Sequence, residues 1–454
     1  MSRSALFLFG IAGVIAATGA ACSANSTSAS TSGGGNATTS ANGGSTSTGK
    51  GGADASSSTG EDITIGVGTG GNIPGNCDSK ADEDKDQDGW TKDDGDCNDC
   101  DVNANPGAIE VMITTPVGDG GIPTPADEDC DGMVDNVAPT CDDALALADV
   151  DPNNAAKAID LCQTTTASPA DKKDRKWGVL SSKYIGANGV SPRTPALQVG
   201  LLQKFGMNVN TRLGKSMLGL SSGMMRTTGQ PGVCPKLLSA QSCDNSTNGP
   251  PPAGFPQAVP GCPVDNTIHD DIALEVKLRS PTNATGYKFN FKFYSFEYAE
   301  WVCSNYNDQF IALVSPPPQG SINGNISFDS KNNPVSVNIA FFDVCDKMGS
   351  GDFAFHCKQS GGNCPALPNP YCQSDKTDLL GTGMDGPFGP TNINGGGTSW
   401  LQTSAPVKGG DEVTIRFAIW DTFDHNLDST VLVDAFEWIA NGGTVKVGTV
   451  KPPA

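Results

Sequence analysis

The stretch that most constrains the fold of this 454-residue chain spans residues 287–314. Aromatic residues occupy every second position of its first half, at Tyr287, Phe289, Phe291 and Phe293, with Lys or Asn between them. Successive side chains of a β-strand point to opposite faces, so a period of two indicates a strand. We therefore predict a half-buried strand whose aromatic face contributes to the core.

A polar, cysteine-bearing segment follows this alternation and leads into a second apolar run at 310–314. It carries acidic and amide side chains, and a second acidic group lies close to the last pair of predicted strands. Oxygen ligands from two edges of a sandwich can converge at a loop end and bind calcium. The alternative is that these residues only form turns and caps. This possible second metal or ligand site consists of Glu297, Asn307, Asp308, Asp421, Asp424 and Asp428.

Short alternating runs continue towards the C terminus, at 335–341, 413–419 and 431–436. Gly and Pro together number 87 residues (56 and 31), so turns are abundant. This pattern predicts a mainly β fold, a jelly-roll-like antiparallel β-sandwich over residues 175–454. Two inserts, 234–262 and 345–372, lack apolar residues for a core of their own, so we expect local disulfides to hold them.

The N terminus has the features of an export signal. One basic residue, an apolar run and small residues fill positions 1–21, and this stretch is too short to span a membrane. Small residues leading into Cys22 resemble a bacterial lipoprotein signal, which implies a lipid on Cys22 and a location at the outer membrane or cell surface. The usual large aliphatic residue is replaced by Gly19, so ordinary cleavage after Ala21, with secretion, is the alternative.

An exported chain meets an oxidising compartment, where cysteines pair. Apart from Cys22, the chain has an even number of them, and their connectivity is open at this stage. The expected disulfide cysteines are Cys77, Cys97, Cys100, Cys130, Cys141, Cys162, Cys234, Cys243, Cys262, Cys303, Cys345, Cys357, Cys364 and Cys372.

Residues 22–72 are rich in Ser, Thr, Gly and Asn and predict a disordered tether. The tether contains GVGTGG at 66–71, which formally matches a dinucleotide-binding motif. No apolar strand precedes that motif and Pro74 follows it, so we interpret it as a chance match.

An acidic module, residues 73–139, carries most of the net charge of −21. Asp84, Asp86 and Asp88 alternate before Gly89, which lets a tight loop wrap carboxylates around one cation. Gly95 stands where an EF-hand has Glu, so we predict a calcium loop of another kind, with a solvated acidic spacer as the alternative. The further predicted ligands are Asp94, Asp96, Asn98, Asp99, Asp101, Asp129, Asp131 and Asp135.

The segment GWTKDDGDCNDCDVNANPGAIE, followed by DEDCDGMVD, resembles the metal-binding repeat of bacterial surface proteins. That family includes a copper-binding surface protein, but this segment contains no His. Oxygen ligands favour calcium over copper. Cys97 and Cys100 form a CxxC that, with Cys77 and Cys130, would be a zinc site in the alternative to disulfides.

Residues 140–174 predict a helical collar between the module and the sandwich. Pro152 follows a capping Asp, as at the start of a helix, and the partly apolar spacing continues to Leu161. Cys141 and Cys162 bracket this segment, so we expect a disulfide that joins two short helices.

The chain after the collar resembles the choice-of-anchor L domain. The resemblance rests on LGKSMLGLSSGMMR, FKFYSFEYAEWVCSNYNDQFIALV, VNIAFFDVC, GGTSWL and FAIWDTFDHNLDSTVLVDAFEW, in that order. It implies an exported bacterial protein, often a myxobacterial-type lipoprotein, attached to the surface by one of several anchors. It implies no enzymatic activity and no particular ligand.

Catalytic motifs are weak. Ser221 lies in a GxSxG match, but Gly229 and Pro231 interrupt the helix that a nucleophile elbow needs. The three histidines, His269, His356 and His425, are far apart in the sequence. We therefore expect no catalytic residues.

The prediction is a surface-tethered, calcium-binding, non-enzymatic protein that binds a surface protein or a polysaccharide and contacts the membrane through its lipid. The negative charge argues against nucleic acid. A lectin-like module is one alternative, and would expose some of Trp301, Trp400, Trp420 and Trp438. A secreted hydrolase is the other, and would bring two or more of Glu297, Glu300, Asp421 and His425 into one cleft.

Overall fold

A computed structural model of the chain describes residues 77–112, 125–136, 139–195, 197–227, 229–233, 243, 245, 247–338, 341–345, 372, 374, 376–385, 395–440 and 443–452. The predicted signal, Cys22, the tether with its GVGTGG, Cys234, His356, Cys357 and Cys364 lie outside these residues. Within them, no helix has the length and apolar character needed to cross a bilayer.

Strands dominate the described part of the chain. In order they are β1 (Gly178–Ile185), β2 (Val199–Leu202), β3 (Lys204–Phe205), β4 (Val209–Asn210), β5 (Met217–Ser221), β6 (Ile268–Arg279), β7 (Ala284–Ser295), β8 (Gln309–Ser315), β9 (Val335–Ser336), β10 (Phe342–Val344), β11 (Gly396–Thr398), β12 (Leu401–Pro406), β13 (Glu412–Thr422), β14 (Ser429–Ala440) and β15 (Gly448–Val450). The one α-helix among the described residues is α1 (Pro152–Lys157).

Two antiparallel sheets form the sandwich that the sequence predicts. One has the order β1-β6-β13-β8-β9, and the other has the order β10-β11-β7-β14-β5-β2, with β12 pairing both β7 and β15. The rings of Phe289 and Phe291 reach across to the first sheet, where they meet Phe417 and Phe310 at centroid distances of 5.0 and 5.1 Å. The alternating aromatic face of β7 therefore contributes to the main core, as predicted.

The opposite face of β7 is also covered, so the prediction of a half-buried strand is wrong at its centre. The Lys292 side chain is 1% exposed and forms an ion pair with Asp378. A second apolar cluster covers this face of the sheet, and it includes Phe205, Tyr294 and Leu379. The chain segments that bring in the cover are distant in the sequence, and the period-two pattern of β7 carries no signal for them.

Strand β14 of the second sheet contains a bulge that its sequence pattern reflects. Pairing of β14 with β7 shifts between Asp434 and Glu437, and Ala435 has a φ of 52°. The extra residue lets Val433 and Phe436, three positions apart, both join the core.

The predicted strand at 335–341 is shorter than expected: β9 ends at Ser336, and the chain turns immediately afterwards.

The collar contains one short α-helix rather than the two we expected. Asp151 caps α1 by accepting the N–H of Asn153, and Pro152 occupies the first turn. Ala155 and Ile159 are fully buried in the sandwich core, and the Ile159 carbonyl accepts the N–H of Phe436. The residues between Cys141 and the helix form turns instead of a second helix.

Disulfides join the parts of the fold. Described pairs are Cys77–Cys100, Cys97–Cys130, Cys141–Cys162, Cys262–Cys303 and Cys345–Cys372, and Cys243 is also disulfide-bonded. The collar bridge and the Cys345–Cys372 bridge agree with the sequence-based expectation. The expectation of a purely local bridge is wrong for Cys262, which ties the first insert to the segment after β7.

Three carboxyl groups meet where the collar contacts the sandwich. Asp142 and Asp434 are fully buried and accept backbone N–H groups of residues 212–216, among them Arg212 and Ser216. Asp160 lies beside them and has a φ of 68°. Burial, followed by repulsion from Asp142, raises the pKa of Asp160 to about 7, and burial raises the pKa of Asp434 to about 8. At a pH between the unfolded value of 3.8 and these raised values, the folded protein therefore keeps protons on Asp160 and Asp434 that the unfolded chain releases.

This cluster predicts a stability that falls with pH. A raised folded-state pKa means that folding is favoured below the unfolded value near 4, and that this contribution is lost as pH rises through 7 to 8. The other charged groups that influence the cluster are Glu437, which is acidic, and Lys215, which is bonded to Asp143.

We expect Asp160→Asn to remove part of the stability loss that the parent shows as pH rises. Asn stays neutral and tolerates a positive φ, so the variant should unfold a few degrees above the parent at pH 8.5 and at the same temperature at pH 5. Thermal unfolding by circular dichroism in EDTA measures this, with Asp82→Asn at an exposed position as the control. Equal pH profiles for parent and Asp160→Asn would show that Asp160 carries no raised pKa.

Candidate metal centre

The first acidic loop of the module uses its carboxylates in two ways. Asp84 accepts the N–H of Gly89, Asp86 accepts that of Asp88, and Asp88 accepts that of Trp90, at 3.0, 3.1 and 2.7 Å. Gly89 has a φ of 94°, a conformation that glycine adopts without strain. One oxygen of each carboxylate thus folds the loop, which leaves the other oxygen for a different partner.

The second acidic loop repeats this arrangement at residues 127–132. Asp127 accepts the N–H of Gly132 at 3.0 Å, Asp129 accepts that of Asp131 at 3.1 Å, and Asp131 accepts that of Met133 at 2.8 Å. Gly132 has a φ of 90°. The module therefore contains the same DxDxDG loop twice, in the same conformation.

Carboxylates from neighbouring turns complete the first loop. Carboxylate oxygens of Asp84, Asp86 and Asp99 lie within 4.8 Å of one another, as do those of Asp86, Asp88 and Asp96. The free oxygens are Oδ1 of Asp84 and Oδ2 of Asp86, Asp96 and Asp99, and each is buried without a hydrogen-bond donor. Buried oxygens rarely lack a partner. We call these five residues the first set.

Two glutamates that the sequence reasoning missed complete the second loop. Oxygens of Glu110, Glu128 and Asp135 lie within 4.8 Å of one another, and Glu110 also meets Asp127 and Asp129. Oε2 of Glu110, Oε1 of Glu128 and Oδ1 of Asp135 are buried without donors. We call these five residues the second set. Glu110 directly follows NPGAI, and Glu128 lies inside the second DxDxDG. Their position next to these motifs is the sequence signal that could have identified them as ligands.

Burial makes it costly to ionise the carboxyl groups of the two sets. It raises the pKa of Asp96 to about 7, with Asp88, Asp86 and Asp99 adding repulsion. It raises that of Glu128 to about 7 as well, with Glu110 the nearest repelling charge. A bound divalent cation would offset both the lost hydration and the repulsion.

Four predicted ligands do not join either set. Asp94 forms an ion pair with Lys172 at 2.7 Å, and Asp101 accepts two bonds from Asn103. Asp131 accepts bonds from Met133 and Asn136 and shapes the second loop. Asn98 contributes its backbone to the turn that orients Asp96.

The cysteines of the module are used in disulfides. Cys97 pairs with Cys130 and Cys100 with Cys77, so the CxxC is divided between two bridges. Asp96 lies close to the sulfurs of Cys97 and Cys130, but zinc binds thiolates, which a disulfide does not offer. The pairing agrees with the disulfide expectation for these four cysteines.

The module docks on the turn between β6 and β7. Asn105 donates to Asp88 Oδ2 at 2.7 Å and accepts from the Thr282 hydroxyl at 2.7 Å. Asn283 exchanges two bonds with the backbone of Ile109. Asn105 thus connects a member of the first set directly to the sandwich.

At the other end of the sandwich, the structure brings together the acids that follow β7 and β13. Glu297, Asn307, Asp308 and Asp421 are each at most 1% exposed, and Asp428 is also buried. Asp424 is half-buried and influences the pKa of Glu297 from the rim of this group. No three carboxylates of this group are within 4.8 Å of one another in the described part of the chain, in contrast to the module.

The remaining candidate residues are placed as follows. His269 and His425, which the sequence separates widely, have ring centroids 4.1 Å apart with the rings tilted by 55°, and His425 contacts Asp270 at 3.0 Å. Ser221 ends strand β5, where its hydroxyl donates to the Ser429 carbonyl. It lies on no exposed elbow, because its side chain is buried.

The four tryptophans of interest differ in exposure. Trp420 is fully buried against Phe255, whereas Trp301, Trp400 and Trp438 are half-buried. Of these, Trp301 belongs to an aromatic chain on the surface, in which its ring contacts Tyr306.

Comparison with known families and proteins gives one match. A family model described as the Choice-of-anchor L domain matches residues 205–437, a little over half of the chain. The matched region covers β4 to β13 and most of β14, and includes the group of acids at the end of the sandwich. No match was found among the curated proteins or the solved structures.

The docking contact predicts a specific loss of stability. Asn105→Ala would leave atoms of half-buried Asp88 and Thr282 without their partner, which should lower the unfolding free energy by about 1–3 kcal/mol. Denaturant unfolding measures the change. Asn103→Ala is the control, because Asp101 keeps the backbone N–H of residue 103 as a donor; we expect a change within about 0.5 kcal/mol. Equal effects of the two substitutions would contradict a special role for Asn105.

Proposed function

The chain belongs to the choice-of-anchor L domain family, which makes it a cell-surface or exported protein, and from this premise we propose that it is a calcium-binding, non-enzymatic surface protein. The acidic module binds the calcium. The sandwich presents a face to a surface protein or polysaccharide, in an adhesive, matrix or envelope role.

One observation carries the calcium proposal. Seven buried carboxylate oxygens without hydrogen-bond donors belong to the two sets, and the set members approach one another within 4.8 Å. Burying an ionised carboxylate without a partner is strongly unfavourable. Two cations, one in each set, would give all seven oxygens a ligand role.

The ligand chemistry favours calcium among the common metals. Both sets consist of carboxylates, and calcium accepts six to eight oxygen ligands in a flexible geometry. Magnesium requires a smaller, near-octahedral shell and keeps several waters. Copper and zinc prefer imidazole or thiolate ligands, and the sets contain neither.

Carbohydrate recognition is the second candidate, favoured by the surface aromatic chain. Tyr306 contacts both Trp301 and Phe423 edge to face, at centroid distances of 4.9 and 5.0 Å. Phe423 is 42% exposed and has a φ of 84°, a strained conformation that concentrates at functional sites. We call these three residues the aromatic ridge. Aromatic faces with nearby carboxylates suit sugar rings.

The hydrolase alternative receives less support from the geometry. Glu297 and Asp421 do come together, but both are at most 1% exposed. A glycosidase needs its two carboxyl groups on either side of a substrate bond, and buried groups offer no room for one.

We expect the two sets to bind calcium independently. Asp86→Asn should remove the ion of the first set and Glu128→Gln that of the second, because each loses a ligand charge at its centre. Calorimetric titration of calcium into the metal-free mature protein measures the stoichiometry. At 100 times the dissociation constant, each occupied site should stabilise the fold by about 2.7 kcal/mol.

Asp82→Asn removes the same charge from an exposed position and serves as the control. A stoichiometry that neither set variant changes, or that Asp82→Asn lowers equally, would contradict specific sites and leave a diffuse acidic surface.

A glycan array tests the second candidate. If the aromatic ridge binds sugars, Phe423→Ala and Trp301→Ala should each lose most of the signal that the parent shows in calcium. Trp400→Ala, a half-buried residue that lies over Lys292 instead, should retain it. Absence of any glycan signal for the parent rejects the lectin function.

A further inference from the structure

The group of acids at the end of the sandwich encloses polar atoms that lack partners. We call the group formed by Glu297, Asn307, Asp308, Asp421 and Asp428 the carboxyl chamber. Three segments supply these residues: the link between β7 and β8, the end of β13 and the loop before β14. Their side chains are all buried.

The polar atoms without hydrogen-bond partners belong to three of the five side chains. They are Oε2 of Glu297, both carboxylate oxygens of Asp421 and both side-chain atoms of Asn307. Neither oxygen of Asp421 has a hydrogen bond of good geometry, although Ser222 and Asp308 are close enough to affect its pKa. Five side-chain atoms of these three residues therefore lack a hydrogen-bond partner among the described residues.

The other two acids are fixed in place. Asp308 accepts the N–H of Thr422 at 2.8 Å and the hydroxyl of Ser429 at 2.6 Å. Asp428 accepts the N–H of Cys243 at 3.4 Å, and a side chain at Gly223 would collide with its carboxylate. The chamber wall is thus rigid where it is bonded.

In the chamber, burial and mutual repulsion both disfavour the ionised form of the acids. Burial, followed by repulsion from Asp308, raises the pKa of Glu297 and of Asp421 well above the ordinary range. Two basic side chains at this end of the sandwich contact neighbouring acids: Arg193 bonds Asp271, and His425 contacts Asp270. No described ion pair reaches Glu297, Asp308 or Asp421.

We propose that the carboxyl chamber is a calcium site separate from the module, with Glu297, Asp421 and the Asn307 side-chain oxygen as direct ligands. Asp308 and Asp428 supply further charge at the ion. An oxygen-only set with an amide carbonyl suits calcium, which accepts carboxylate and Asn oxygens together. The ion would join the link after β7 to the loop between β13 and β14, both of which carry residues of the aromatic ridge.

The first test compares stability with and without calcium. Its background is the full mature chain carrying Asp86→Asn and Glu128→Gln, so the module contributes no ion. In EDTA, Asp421→Asn should unfold at a higher temperature than this background, because it removes a buried charge. In excess calcium the order should reverse, because the background gains an ion that the variant cannot hold.

The second test counts ions directly. Calorimetric titration of calcium into the same background should show one remaining site per chain. Glu297→Gln should weaken it at least about tenfold, in line with the loss of a metal-binding interaction. Asp411→Asn, a charge-matched change at the opposite end of β13, should alter neither the count nor the calcium-dependent stability.

The results that overturn the proposal are distinct from those that reject the module sites. If the background binds no calcium, or if Asp421→Asn is the more stable protein at every calcium concentration, the chamber holds shared protons instead of an ion. The module sites are tested with single substitutions in the parent chain, and the chamber is tested in the doubly substituted background. A negative result for one site therefore does not affect the result for the other.

Discussion

Carboxylates that leave water require a compensating charge, and this constraint governs the structure at three separate places. In the module the compensation is a pair of cation sites in our proposal, and in the carboxyl chamber it is a further ion. At the collar, Asp160 and Asp434 have raised pKa values, so protons serve the same purpose. The chain thus combines a large acidic excess with a well-buried interior.

The sandwich core provides the rigid support between these places. Strand β7 begins next to the turn on which the module docks and ends next to the chamber. Its aromatic residues pack across the sheets along this whole length. The Cys262–Cys303 bridge then holds the segment after β7 against the first insert. The two ends are therefore joined by packed strand rather than by a flexible linker.

Local patterns in the sequence predicted the parts of the structure that local physics determines. The alternation of Tyr287 to Phe293 indicated the core face of β7, and the spacing of Asp84, Asp86 and Asp88 indicated a loop that does gather carboxylates. The acids after β7 and β13 were placed together because both segments were expected at strand ends, and Asp421 and Asp424 do lie close enough to Glu297 to influence its pKa.

Local patterns could not predict contacts between segments that are distant in the sequence. Burial of Lys292 depends on Asp378, and the cluster at the collar depends on Asp434 meeting Asp160. Glu110 and Glu128 become set members only when the module folds back on itself. The pairing of Cys262 with Cys303 likewise follows from the packing of the insert, which cysteine spacing does not encode.

The placement of the module and the chamber at opposite poles has a mechanical consequence. The described chain starts at Cys77 in the module, and β7 spans twelve residues, so roughly 40 Å separates the poles. A load applied at the aromatic ridge and resisted at the module would run parallel to β6, β7 and β14. Their ladder hydrogen bonds would then be loaded in shear, where many must break together, instead of being peeled apart singly. Such a geometry suits a protein that resists pulling.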